Sequence, residues 1–110
     1  MELATDTKYK ELEDTILEAY RLKQVYVSLE KLIAYPEWNT VIVNGFLTEY
    51  VDTAISRLQT DKRDAAILEL QSVSTFKQYL KDIKNRAITA ELDAVSANVE
   101  LNTLRAGESI

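Results

Sequence analysis

Three of the 110 residues are glycine or proline: Pro36, Gly45 and Gly107. A β-sandwich, a barrel or a doubly wound sheet needs many tight turns, and tight turns draw on these residues. Between Phe46 and Ala106 there is none. Such a chain is expected to be all-α, built from a few long helices joined by short connections.

Composition narrows the chemistry. Hydrophobic residues make up 46% and charged residues 28%, within the range of folded globular chains. There is no histidine and no cysteine. Imidazole and thiolate metal sites, disulfides, thiol nucleophiles and histidine-dependent acid–base mechanisms are therefore excluded. A net charge of −5 disfavours nonspecific binding to nucleic acid. The start, Met1-Glu2-Leu3-Ala4-Thr5-Asp6, has neither a basic nor an apolar leader region, and no apolar stretch approaches the length of a membrane span. Synthesis in a cytoplasm is the expectation.

The periodicity predicts three helices in one domain, 1–110, at about 7–34, 37–58 and 61–105. In the first, Leu12, Ile16, Ala19, Tyr20, Leu22, Tyr26, Leu29 and Ile33 recur at steps near three and four, the mark of one helix face. Pro36 ends it, because Tyr35 before a proline is driven out of helical geometry, and suits the first position of the next. In the second, Trp38, Ile42, Leu47, Tyr50, Val51, Ala54 and Leu58 form a broad apolar stripe. There Thr40-Val41-Ile42-Val43 followed by Asn44-Gly45 also reads as a β-hairpin, but no partner sheet exists elsewhere in the chain. Helix is the preferred reading, with Gly45 allowing close approach of a neighbouring helix. The third opens at a cap, Thr60 or Asp61, and runs to Arg105, with Gly107 at the C-cap.

The lengths do not match. A helix of about 45 residues is near 68 Å long, whereas one of about 23 residues covers some 35 Å. In an up-down-up three-helix bundle the third helix would be covered only to about residue 84. Residues 85–105 nevertheless carry Ile88, Leu92, Val95 and Val99 at 4-3-4 spacing. Either this stretch overhangs and its seam meets a partner, or the chain breaks near Asn85 and folds back. An extended helical hairpin with a long C-terminal helix is the other arrangement the pattern allows.

Few residues suggest chemistry. Glu11, Glu13, Asp14 and Glu18, with Asp61, Asp64 and Glu69, are acids that would have to converge to bind metal or move protons. Solvated helix faces account for them. Ser28, Ser56, Ser72, Ser74 and Ser96 lack any histidine base, and no Gly-rich phosphate loop exists. Lys77, Lys81 and Lys84 share a face and are candidate phosphate contacts, interrupted by Asp82. The six tyrosines read as core and core-edge residues, and Trp38 beside the proline is the best single anchor for a partner.

One resemblance is visible in the middle of the chain. It is carried by Leu32-x-x-Tyr35-Pro36-Glu37-Trp38, then Val41-Ile42-Val43-Asn44-Gly45-Phe46-Leu47, then Tyr50-Val51-x-x-Ala54-x-x-Arg57-Leu58. It continues through Ile67 and Leu70 to Phe76-Lys77-Gln78-Tyr79-Leu80. About residues 29–84 resemble a family of small helical proteins encoded among the structural genes of tailed, particularly short-tailed, bacteriophages. Trp38 stands where that family has Phe, and Tyr35 where it has Asn. The resemblance implies a virion structural or assembly role without catalysis, and carries over no catalytic residue.

The expected function is a non-enzymatic phage structural or head-assembly protein acting through helix–helix contacts. Its expected partners are further copies of itself, a larger phage structural protein, or both, and it takes no cofactor, metal or small-molecule substrate. Ile88, Leu92, Val95 and Val99 are the expected interface, with Trp38 and Phe46 as second contacts, and the mature virion is a candidate location. A phage-encoded protein that binds and inhibits a host factor is the alternative, and a nonspecific DNA-contacting protein is a third reading.

Overall fold

A computed structural model describes the backbone of residues 2–108 and the side chains of 5–107. The described residues are helical and contain no strand: α1 (Glu2–Ile33), α2 (Pro36–Trp38), a π-helix (Asn39–Glu49), α3 (Tyr50–Ser56) and α4 (Arg63–Glu108). Packing divides the chain into two compact units, residues 1–27 with 83–110, and residues 28–82. The chain does not break near Asn85, because α4 runs uninterrupted through that position.

The first unit pairs α1 with the C-terminal part of α4. Lys8 lies 3.2 Å from Glu100, so the start of α1 meets the end of α4 and the two run antiparallel. An up-down-up bundle would make its first and third helices parallel, so that arrangement does not describe this unit. Leu12, Ala97 and Leu101 form the buried centre, with Tyr9, Ile16 and Leu104 packed against it. Along α4 the covered row is Ala87, Ala90, Ala94, Ala97, Leu101 and Leu104, a 3-4-3-4-3 spacing, every member buried or half-buried. Facing it on α1 are Tyr9, Leu12, Ile16, Ala19, Leu22 and Tyr26, a mostly larger set. Small residues on one helix let the larger ones of the other seat between them, as in a coiled-coil seam.

The second unit is a helical hairpin. Its first arm is the composite α2–π–α3 segment and its second is the start of α4. Tyr35 is extended (φ −77°, ψ 137°) and Pro36 opens the new helix, as the proline rule requires. Residues 40–50 are helical, and Asn39–Glu49 is wound as a π-helix: the Thr48 hydroxyl donates to the Val43 carbonyl at 2.7 Å, and the Tyr50 N–H reaches the Gly45 carbonyl, each five residues back. The wider turn has a packing consequence. Trp38, Ile42, Leu47 and Val51, all half-buried, are spaced 4-5-4, which matches a winding of about 4.4 residues per turn and not 3.6. In an α-helix Leu47 would rotate well away from Ile42. The wider turn also eases the crowding of the β-branched run 40–43 against its preceding turn.

A Cβ on Gly45 would meet the Thr40 carbonyl oxygen of its own helix at 3.4 Å. The neighbour it would touch is thus the preceding π-turn, and no other helix comes as close. Across the hairpin, Phe46 meets Phe76 edge-on with ring centres 5.4 Å apart; within its own arm it meets Tyr50 at 5.3 Å. Ala54, Ala66 and Val73 are buried between the arms. The 57–62 connection turns without glycine or proline. The N–H groups of Leu58, Thr60 and Arg63 each bond the carbonyl three residues back, and the Thr60 hydroxyl donates to the Arg57 carbonyl at 2.6 Å. That same hydroxyl accepts the Lys62 N–H at 3.1 Å, just ahead of α4. At the far end, α4 continues through Gly107 without a positive φ, so the glycine does not act as a left-handed C-cap.

Candidate functional site

The two rows on α4 in the first unit point opposite ways. Two residues of α-helix turn about 200°, so positions near Ala97 that face α1 leave their neighbours two away facing outward. Ala87, Ala97 and Leu101 are 6%, 4% and 3% exposed. Ile88, Leu92, Val95 and Val99 are 48%, 66%, 58% and 62% exposed. Residues 85–105 are therefore not a bare overhang: α1 covers one face of them. The face it covers is the alanine row, which is as periodic in sequence as the other but which larger residues outrank in any hydrophobicity count. The larger row is left in water.

Other exposed apolar residues on α4 do not form such a seam. In the second unit Leu68 and Tyr79, 65% and 54% exposed, lie at the ends of a 4-3-4 row whose middle members are Ser72 and Thr75. Both hydroxyls bond carbonyls four residues back on their own helix. The row is polar at its centre.

The remaining expected contacts fall differently. Phe46 is half-buried and its ring is occupied by Phe76 and Tyr50, so it serves the interior of the hairpin. Trp38 is half-buried at the start of the π-helix. Tyr20, Tyr35, Tyr50 and Tyr79 are exposed and not core residues. Lys77, Lys81 and Lys84 are all exposed, while Asp82 beside them accepts a hydrogen bond from the Gln78 amide at 2.9 Å.

The acids do not converge. Among the described residues no group of three or more is placed to hold a metal ion. Glu69 accepts from the Arg57 guanidinium at 3.1 and 3.3 Å, closing the hairpin beside its turn. Glu18 accepts from Arg21 Nε at 2.9 Å; that hydrogen bond, with the attraction of the guanidinium charge, holds its carboxyl below the usual carboxylate range. A groove of the first unit, about 590 Å³, runs between α1 and α4 past Asp14, Glu18, Leu22, Arg86 and Asp93. It is an open furrow beside the alanine seam. The hydroxyls of Ser56 and Ser72 bond nearby backbone carbonyls. What the described surface offers is helical apolar area.

Compared with known protein families, curated proteins and solved structures, the chain matches none. No helix among the described residues is long and apolar enough to cross a membrane.

Proposed function

We propose that this chain is a non-enzymatic assembly protein, working by burying helical apolar surface against a partner during construction of a phage head or its head–tail region. The observation that carries the contact is the row Ile88, Leu92, Val95 and Val99, exposed on a helix already packed on its other side. Four aliphatic side chains in register on one helix form a contiguous apolar patch of the kind that marks interaction sites. The phage setting rests on the likeness of residues 29–84 to small helical proteins of tailed-phage structural genes.

The core supports the same reading. The most buried residues of the chain are mainly alanines, and no large side chain is fully buried among the described residues. A chain with so thin a core gains much of its stability from what binds it.

Mass spectrometry of purified virions and of empty precursor heads tests the role. The chain is expected at fixed stoichiometry in one of the two, and its absence from both overturns the reading. A variant carrying Leu92→Asp and Val95→Asp is expected to be lost from the particle that holds the parent chain.

A further inference from the structure

We infer that the occupant of the exposed α4 row is a second copy of this chain, with the two α4 helices crossing antiparallel so that Ile88 meets Val99 and Leu92 meets Val95 of the other copy. This rests on the reading that the row is a contact surface, and goes beyond it by naming the partner and the register.

The spacing is the first reason. The 4-3-4 steps from Ile88 to Val99 read the same from either end, so an antiparallel two-fold brings every member of the row onto another member. Size is the second. In the antiparallel register each layer joins one larger residue, Ile or Leu, to one valine, giving four layers of similar volume. A parallel register would stack Ile on Ile and Leu on Leu, then Val on Val twice, and the seam would taper. The rim fits as well. Glu91 comes beside Asn98, and Thr89 beside Ser96, so within 88–99 no like charges are opposed.

A second copy is the one partner whose surface is known to carry a matching row.

The absence of native cysteine makes the test direct. Ile88→Cys and Val99→Cys are prepared separately, oxidised alone and oxidised as a mixture. Antiparallel pairing puts the two thiols introduced at position 88 of a dimer about 16 Å apart along the axis, far beyond disulfide reach, and likewise the two at position 99. The mixture is expected to give a disulfide-linked heterodimer, with each variant alone remaining uncrosslinked. Both sites are exposed, and circular dichroism equal to the parent confirms that the variants fold. Cross-linking of the Ile88→Cys variant with itself overturns the antiparallel register. A parent chain of dimeric mass whose mixture fails to cross-link overturns the row as the seam. A parent chain that is monomeric at every concentration overturns self-pairing altogether, while its presence in virions or precursor heads would leave the assembly role standing with a different protein as partner.

Discussion

Ala97 and Val99 lie two residues apart on α4 and face opposite surroundings: Ala97 is 4% exposed in a cluster with Leu12 and Leu101, and Val99 is 62% exposed. That reversal makes α4 a helix with two apolar faces, one of small residues closed by α1 and one of larger residues left open. Enlarging the side chain at the two positions should therefore have unequal costs. Ala97→Leu forces volume into a closed seam and is expected to destabilise the chain by about 1–3 kcal/mol. Val99→Leu, made in the Leu92→Asp, Val95→Asp background that leaves a single chain, should stay within about 0.5 kcal/mol of that background. Urea denaturation followed by circular dichroism measures both, and equal costs would mean that α1 does not pack where it is placed.

The aromatic contact in the hairpin gives a second expectation. Phe76 is the ring that Phe46 meets across the two arms, at 5.4 Å and nearly perpendicular. Truncating a half-buried ring removes both its burial and its edge-to-face partner. Phe76→Ala should cost about 2–3 kcal/mol, somewhat below the loss from a fully buried ring. A loss under about 0.5 kcal/mol in the same denaturation experiment would remove Phe46 from the interior, and make it a candidate partner contact again.

Glu18 and Arg21 supply a pH test. The folded carboxyl lies below its ordinary value because the guanidinium hydrogen-bonds to it. A depressed carboxylate stabilises the folded chain above its unfolded pKa, and that contribution fades as pH falls through the folded value. The pair is fully exposed, so its effect on stability is small and the titration itself is the better readout. In an Arg21→Gln variant the NMR titration midpoint of Glu18 should rise toward that of an ordinary glutamate. An unchanged midpoint would show that the pair does not persist in solution.

Much of this architecture is legible in the sequence because it depends on local rules. Tyr35-Pro36 marks a helix junction by backbone sterics alone, and the chain's lack of further breakers leaves α4 uninterrupted. The π-helix is legible too, though through a period not usually counted. Trp38, Ile42, Leu47 and Val51 span 13 residues in three steps, a mean of 4.3, longer than the α-helical repeat. Asn44-Gly45 favours a hairpin only where flanking strands can find a sheet, and here helical packing against Phe76 prevails.

The partnership of α1 with the end of α4 is harder to read. Matching helix lengths assumes that each helix folds back on the one before it, whereas Lys8 and Glu100 show α1 running antiparallel to α4. Charge pairs at exposed positions carry too little energy to announce such a pairing. The alanine row does announce it: positions 87, 90, 94 and 97 continue into Leu101 and Leu104 at heptad steps. Methyl groups weigh little in hydrophobicity, and their value here lies in how closely they let Leu12 and Ile16 approach. Exposure of Ile88, Leu92, Val95 and Val99 follows from that choice of face.

The claim that this open face is an interface is tested most directly by molar mass. Light scattering on the eluting peak should give about 25 kDa for the parent chain, twice its 12.5 kDa. The Leu92→Asp, Val95→Asp double variant should fall to the single-chain mass while keeping its helical circular dichroism. A parent chain at 12.5 kDa across the concentration range, or a double variant whose mass equals the parent's, would contradict the account.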